Sequence, residues 1–248
     1  MAGVARLERP YRVRFDEAGP DGNLRSSGYL RYAQDLAWIH SESHGFDREW
    51  YAAREITWLV RGVELDIVSD VAYGSELIVS TEVVGFRRIW ARRRSEFRVA
   101  RTERPVAVAL TDWVLLDGRG APARVPAEIV DAFVEPEITY TPMRLDLPPT
   151  PADATAYSIR VRRSEADPMA HVNSAAYLDY LDEQLLLNSP PTAALDVPRR
   201  YRAEFIASAE PGAELVGRLW QAQSARLYRL EDHEAREMLR ASLEPAPI

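Results

Sequence analysis

The segment Tyr29–Asp35, with the sequence YLRYAQD, recurs 148 residues later as YLDYLDE at Tyr177–Glu183. A second pair follows in the same order, since GSELIV at Gly74–Val79 recurs 138 residues later as GAELV at Gly212–Val216. Two matching pairs in one order indicate a duplicated unit. The smaller second offset means that the second copy is ten residues shorter between its two matching segments.

Both copies have the same predicted order of elements: a short strand, a polar loop, one amphipathic helix and then a run of strands. The first strand is predicted at Tyr11–Phe15 and again at Tyr157–Arg162. We expect Ser26 or Ser27 to cap the first helix, and Asn173 or Ser174 to cap the second. Apolar faces at helical spacing follow these caps, formed by Leu30, Ala33, Ala37 and His40 in the first helix and by Tyr177, Leu181 and Leu185 in the second.

The remaining strands are predicted from segments rich in Val, Ile, Trp and Phe. In the first copy these are Ser75–Phe86, Arg88–Arg101 and Pro105–Leu116. In the second copy they are Glu214–Gln223, Ala225–Asp232 and Arg236–Leu243. One helix followed by antiparallel strands predicts an α+β fold rather than a wound βαβ fold.

A proline-rich segment separates the two copies. Residues 135–156 contain five of the 17 prolines of the chain, which favours an extended linker over a helix or a central strand. We therefore predict an N-terminal domain at residues 1–134 and a C-terminal domain at 157–248. The linker at 135–156 is expected to run over the surface of the molecule.

Composition excludes several kinds of chemistry. The 248 residues include no Cys and no Lys, so all 31 basic residues are Arg. Cysteine nucleophiles, disulfides and lysine Schiff bases are therefore impossible. A net charge of −7 argues against a nucleic-acid partner. The absence of a long apolar run and of a signal-like N-terminus predicts a cytoplasmic protein without a membrane partner.

Two histidines have the spacing of a possible metal pair. His40 and His44 are four residues apart on the first predicted helix, where both rings can face one metal ion. No third ligand is evident, and His40 shares the apolar face of the helix. We therefore expect packing at this position, and no metal or cofactor.

The segment Asp167–Ser174, with the sequence DPMAHVNS, contains the residues best suited to catalysis. A carboxylate at Asp167 can hold or deprotonate a water, and an imidazole at His171 can relay a proton. The backbone N–H groups of Val172 and Asn173, at a helix N-terminus, can bind a developing oxyanion. The alternative is that Asp167 and Asn173 only satisfy hydrogen bonds of the loop and the helix cap.

The duplication favours the catalytic interpretation. At the offset of 148 residues, Asp167 corresponds to Gly19 and His171 to Asn23. A motif that only capped a helix would be needed in both copies. The sequence therefore predicts one active site, carried by the C-terminal copy.

These motifs resemble a known family. Each copy is similar to a hotdog domain, in which an antiparallel sheet wraps around one long helix, and Asp167–Tyr180 resembles the catalytic loop of hotdog thioesterases. The whole chain resembles the acyl-ACP thioesterases, which are tandem double hotdogs. The other similar segments, in order, are Gln34–His40, Thr57-Trp58, Asp112–Asp117, Pro126–Ile129 and Tyr201–Glu204.

The resemblance implies hydrolysis of an acyl thioester without a cofactor, by an Asp, an Asn, a His and a later Glu. By position, three of these are Asp167, His171 and Glu204. The Asn position holds Met169, which cannot usefully hydrogen-bond. Either Asn173 substitutes for it, or the enzyme is slower, or its substrate differs.

The resemblance also implies the nucleophile and the partners. Phe205 stands where plant members have a Cys, so either water or a carboxylate attacks the thioester. The partner is then acyl carrier protein or a coenzyme A thioester, and Trp58 is expected to shape an acyl pocket in the N-terminal copy. Eight arginines between Arg87 and Arg104 either dock an acidic carrier protein or belong to solvated strand faces. The tandem copies can pair internally, so a monomer and a homodimer both remain open.

Two other functions fit the same fold. A hotdog hydratase or dehydratase also joins an Asp, a Pro and a His. Its motif, however, has a Gly before the Asp, where this chain has Ala166, and one more residue before the His. The other alternative is a non-catalytic acyl-binding protein, which Met169 makes conceivable.

Overall fold

The computed structural model describes residues 5–133, 140–188 and 195–246. These residues form one ten-stranded antiparallel sheet and four α-helices. The first half contains β1 (Arg6–Arg12), α1 (Ser26–Ser43), α2 (Arg48–Ala53), β2 (Ile56–Ile67), β3 (Glu76–Arg87), β4 (Trp90–Val99), β5 (Pro105–Asp117) and α3 (Ala127–Phe133). The second half contains β6 (Thr155–Arg160), α4 (Ser174–Leu187), β7 (Arg199–Phe205), β8 (Glu214–Ala222), β9 (Ala225–Asp232) and β10 (Glu237–Pro245).

The two halves share the sheet equally. Its strands lie in the order β1-β3-β4-β5-β2-β7-β10-β9-β8-β6, so each half contributes five neighbouring strands. The halves join where β2 pairs with β7, with Leu65 opposite Tyr201 and Gly62 opposite Glu204. This arrangement confirms the predicted α+β fold of two tandem hotdog units forming an internal pseudo-dimer.

Backbone bridges repeat at the offset found in the sequence. Ala18 pairs with Leu24 in front of α1, and Ala166 pairs with Val172 in front of α4. Both partners are displaced by 148 residues between the copies. The duplication is therefore preserved in backbone detail, even where the side chains differ.

The two long helices meet at equivalent positions. Arg31 of α1 and Asp179 of α4 are also 148 residues apart, and Arg31 Nη2 lies 2.8 Å from Asp179 Oδ2. Residues that correspond by the repeat can contact each other only close to the local two-fold axis. This ion pair therefore marks the axis that relates the halves.

The apolar faces predicted for the helices pack against the sheet. The seven predicted residues are all buried. The predicted cap of α4 is confirmed, because Asn173 Oδ1 accepts a hydrogen bond from Ala175 N at 2.9 Å. The predicted cap of α1 is wrong, because neither serine caps it. Ser26 instead donates to the Tyr201 hydroxyl at 2.8 Å, and Ser27 accepts from Arg31.

Some elements differ from those predicted. The first strand of each half lies earlier, at Arg6–Arg12 and Thr155–Arg160. Strand β2 was not predicted, and its register shifts between Val60 and Gly62. Such a bulge interrupts the alternation of apolar and polar residues by which strands are predicted. The short helices α2 and α3 were also missed.

The proline-rich segment packs against the sheet face that lies opposite the helices. Residues 134–139 lie outside the described part of the chain, and the following residues, 140–154, form no helix or strand. Tyr140 and Leu145 are buried, so this segment does more than run over the surface. The predicted domain boundaries stay predictions. Among the described residues, no helix is long and apolar enough to cross a membrane.

Candidate active site

A cavity of about 640 Å³ lies between α1 and the inner face of β2–β5. Its wall is mostly apolar and includes Trp58, Val83, Phe86 and Ile129. One end is closed by the loop in front of α4, which belongs to the other half of the molecule. The cavity is therefore formed jointly by the two copies.

Asp167 lies at this end of the cavity. Its Oδ1 accepts hydrogen bonds from Met169 N at 2.9 Å and from His171 N at 3.4 Å. No hydrogen bond to Oδ2 occurs within the described ranges, so this oxygen can bind a ligand or a water. The carboxylate is therefore both fixed by its own loop and available to the cavity.

The loop is held in an unusual backbone conformation. Ala170 has a φ of 62°, and the corresponding residue of the first copy, Gly22, has a φ of 79°. A left-handed conformation is easy for glycine but costly for alanine. The turn is thus shared by both copies, but only the second carries a side chain at this position.

Asn173 also lines the cavity. Its Oδ1 caps α4, and its Nδ2 has no acceptor among the residues that the structure describes, so the amide can donate into the cavity. The neighbouring Ser174 lines the cavity as well, and its N–H has no intrahelical acceptor because it lies in the first turn. These two groups are the available donors at the helix N-terminus.

The two backbone N–H groups predicted to bind an oxyanion both have acceptors within the protein. The N–H of Val172 donates to Ala209 O at 3.1 Å, and that of Asn173 donates to Glu165 O at 2.9 Å. The Val172 side chain is 4% exposed and belongs to the main core. Val172 thus stabilises the loop and does not line the cavity.

His171 is close to Asp167 along the loop but does not line the cavity. Its carbonyl accepts a hydrogen bond from Asp167 N at 2.8 Å. Its Nδ1 is buried without a hydrogen-bond partner among the described residues. The main chain of His171 therefore shapes the acid loop, while its ring does not line the cavity.

Glu204 lies on the other face of the sheet. Its neighbours Tyr201, Ala203 and Phe205 belong to the core around the helices, so Glu204 points away from them because strand side chains alternate. It is 2% exposed and accepts from Arg144 Nη1 at 2.6 Å and from Leu145 N at 3.0 Å. The structure does not bring Glu204 together with Asp167.

Two cavity residues were not predicted as site residues. Gln34 of α1 lines the cavity and is equivalent to Asp182 by the repeat. Thr57 of β2 also lines it, and its hydroxyl lies 3.5 Å from Met169 Sδ. Both were noted only as parts of similar segments. That they line the same cavity as the acid loop depends on the packing of one copy against the other, which no local pattern specifies.

Trp58, which is predicted to shape an acyl pocket, lines the cavity. Its Nε1 donates to the Tyr51 hydroxyl at 3.1 Å, which in turn lies 2.9 Å from Ser41 Oγ. The indole is therefore fixed by a polar network while its ring contributes to the apolar wall. This is the geometry expected of a residue that limits the shape of a pocket.

The histidine pair and the arginine-rich strands, the two candidate features predicted outside the loop, bind other protein groups. His44 Nδ1 lies 2.9 Å from His40 O, while His40 Nδ1 faces Arg93 Nη1 at 3.0 Å. Within the described ranges no cluster of three metal-ligating side chains exists. In the arginine-rich strands, Arg94 pairs with Glu96 and Arg98 with Glu8 near the surface, as expected of solvated strand faces. Arg92 instead pairs with the buried Asp112, and Arg93 is buried, so these two fit neither a solvated face nor a carrier-docking surface.

Comparison with known families agrees with this geometry. The family described as acyl-ACP thioesterase N-terminal domain matches residues 5–133, which is more than half of the chain. The chain belongs to the acyl-ACP thioesterase family. It is therefore an enzyme that hydrolyses acyl thioesters, and the substrate class of its family is acyl-acyl carrier protein.

Solved structures show the same fold over the whole chain. An acyl-ACP thioesterase from Bacteroides thetaiotaomicron is 15% identical, with a TM-score of 0.79 and coverage of 97% of each chain. A 12:0-ACP thioesterase from Umbellularia californica is 18% identical, with a TM-score of 0.82 and coverage of 99% of this chain and 98% of the other. No curated protein matches the chain.

Proposed function

We propose that the acid loop hydrolyses an acyl thioester whose chain occupies the cavity. The supporting observation is that Asp167, Asn173 and Gln34 line one mostly apolar cavity. Such a cavity binds an alkyl chain by burying it, at about 0.8 kcal/mol per methylene. The polar end then holds the thioester, where the reaction takes place.

In the proposed mechanism, water attacks the carbonyl carbon of the thioester. Asp167 Oδ2 orients this water and accepts its proton as the C–O bond forms. The negative charge that develops on the carbonyl oxygen is stabilised by Asn173 Nδ2 and by the N–H of Ser174. When the C–S bond breaks, the thiolate leaves and takes the proton back from Asp167, giving a free acid and a thiol.

Other polar residues have supporting roles in this proposal. Gln34, from the other copy, lines the same cavity as the acid loop, and we propose that it holds the attacking water. His171 supports the loop through its main chain, and its ring is available to the thioester only if the loop moves. We propose that Glu204 fixes the linker instead of acting as a base.

In this proposal the two copies have different roles. The domain at 1–134 supplies the cavity and acyl-chain selectivity through Trp58, and the domain at 157–248 supplies the acid loop. A role in fatty acid biosynthesis, in the cytoplasm, follows from an acyl-ACP substrate and stays a prediction. Acyl-CoA remains the alternative carrier, because the acyl cavity itself does not distinguish the two thiols.

The decisive experiment compares three thioesters with the purified protein. Acyl-ACP, acyl-CoA and enoyl-CoA are supplied, and free thiol and enoyl absorbance are followed. Thiol release that is lost in Asp167→Asn supports the proposal, and the ratio of the first two rates identifies the carrier. Loss of enoyl absorbance, or binding without turnover, contradicts it.

A further inference from the structure

A buried arginine lines the cavity far from the acid loop. Arg93 of β4 is 9% exposed and faces the cavity. Its neighbours on the strand point outward, where Arg92 pairs with Asp112 and Arg94 with Glu96. The alternation of the strand therefore places one charge on the core face, among side chains that are otherwise mostly apolar.

The charge of Arg93 has no counterion within the described ranges. Its Nη1 lies 3.0 Å from His40 Nδ1, and its Cζ lies 5.4 Å from the centre of the Phe133 ring. Burial lowers the pKa of the guanidinium to about 10, so the group is still a cation at neutral pH. A buried cation is expensive unless an anion pairs with it, and the site therefore favours an anion.

The neighbouring polar groups do not provide this anion. Ser41 Oγ donates to Phe46 O at 3.1 Å, and Trp58 Nε1 donates to the Tyr51 hydroxyl. The Tyr51 hydroxyl can then donate to Ser41, which completes the network without Arg93. The guanidinium nitrogens other than Nη1 have no partner among the described residues and are available to a ligand in the cavity.

The distance between the two polar ends suits a chain with a group at each end. Thr57 contacts Met169 of the acid loop and lies opposite Leu116 of β5, whereas Arg93 lies opposite Thr111 of the same strand. Five residues of a strand span about 17 Å, and both Thr57 and Arg93 line the cavity, so the cavity runs from the acid loop towards Arg93. A second arginine of the wall, Arg48, is solvent-exposed, so water already solvates its charge.

We infer that the preferred acyl group carries a carboxylate at its far end, so that the substrate is the half-thioester of a dicarboxylic acid and its free carboxylate pairs with Arg93. This inference rests on the proposed function of the acid loop. Guanidinium and carboxylate form charge-assisted, often bidentate hydrogen bonds. An unsubstituted alkyl chain would instead leave the buried cation facing a methyl group.

The test compares hydrolysis of length-matched thioesters that end in a methyl group or in a carboxylate. We expect the wild-type protein to prefer the carboxylate by about 10²-fold in kcat/KM, because a methyl-ended chain leaves the buried guanidinium unpaired. Arg93→Met should abolish this preference while methyl-ended thioesters are still hydrolysed. Arg94→Met, next along the strand but facing outward, should keep it. A wild-type preference for methyl-ended chains would overturn the inference.

A binding measurement on the wild-type protein tests the inference even if Arg93→Met does not fold. Thermal unfolding of the wild-type protein is followed with a free dicarboxylic acid and with a monocarboxylic acid of equal length. Greater stabilisation by the dicarboxylic acid supports the inference, and equal or smaller stabilisation contradicts it. Selective binding without hydrolysis of any thioester would contradict the proposed function alone. Unselective hydrolysis would contradict the inference alone.

Discussion

Asp112 and Glu204 lie in one row across the sheet, on either side of Gly62. Asp112 Oδ2 accepts from Met143 N at 2.6 Å, and Glu204 Oε2 accepts from Leu145 N at 3.0 Å. Both carboxylates are thus used to fix the linker backbone. The linker packs closely on Gly62, since a Cβ there would lie 3.2 Å from Met143 Cε.

The first prediction follows from this contact. Glu204→Gln removes a buried charge paired with Arg144, and weakening such a charged hydrogen bond should cost about 1–3 kcal/mol in the free energy of unfolding. We expect kcat to be unchanged, because Glu204 faces away from the cavity. Urea unfolding and steady-state kinetics on the same preparation measure both quantities.

Asp66 provides the matched control, since it occupies the equivalent position of the first copy and pairs with Arg200. Asp66→Asn should also lose some stability and keep its activity. If Glu204→Gln is well folded but loses activity by a factor typical of a general base, about 10²–10⁴, Glu204 belongs to the catalytic machinery after all.

The second prediction concerns the proposed base. Asp167→Asn preserves an oxygen that can accept from Met169 N but removes the charge that accepts a proton from water. We expect kcat/KM to fall by about 10²–10⁴, with the free energy of unfolding nearly unchanged. Free-thiol release at several acyl-chain lengths measures this effect.

Asp21→Asn is its control, because Asp21 Oδ1 accepts from the N–H two residues ahead, that of Asn23, at 3.1 Å. It has the same role in the loop of the first copy but does not line the cavity. Loss of activity in Asp21→Asn, or retention of most activity in Asp167→Asn, would mean that the active site has been assigned to the wrong copy.

The alternation of polar and apolar residues along β7 shows which features of the site could be predicted from the sequence. In Arg199–Phe205, with the sequence RRYRAEF, the polar residues 200, 202 and 204 alternate with the apolar residues 201, 203 and 205. That pattern alone would have placed Glu204 opposite the core face. The repeat likewise predicted equivalent loops in front of the two long helices, and its offset holds in the backbone. That Gln34 of the first copy lines the same cavity as Asp167 could not be predicted, since it depends on how the copies pack.

The third prediction concerns acyl-chain length. Trp58→Leu should enlarge the cavity and shift the preference to longer chains, because each additional buried methylene is worth about 0.8 kcal/mol, or roughly fourfold in kcat/KM. Rates for a series of acyl thioesters measure the shift. Trp220→Leu is the control, since Trp220 is buried in the second copy and does not line the cavity. An unchanged chain-length profile in Trp58→Leu would show that the chain binds elsewhere.

The last prediction concerns Asp182, the counterpart of Gln34 in the second copy. Asp182 is 8% exposed, and its carboxylate accepts a hydrogen bond from the Tyr201 hydroxyl at 2.7 Å. Burial raises its pKa to about 6, against the opposing effects of the Tyr201 hydrogen bond and the Arg199 charge. The second copy thus has a buried acid where the first has a cavity-lining amide.

The sign of the pH effect follows from the direction of this shift. An Asp in the unfolded chain has a pKa of about 3.9, so between pH 4 and 6 the folded protein binds more protons than the unfolded chain. The contribution of Asp182 to stability therefore falls as the pH rises through this range and is constant above it. Asp182→Asn removes this dependence, so its stability relative to wild type should rise by up to about 3 kcal/mol from pH 4 to pH 7. Urea unfolding at several pH values measures the difference, with the exposed neighbour Glu183→Gln as control. A difference that does not change with pH would mean that Asp182 is ionised throughout this range.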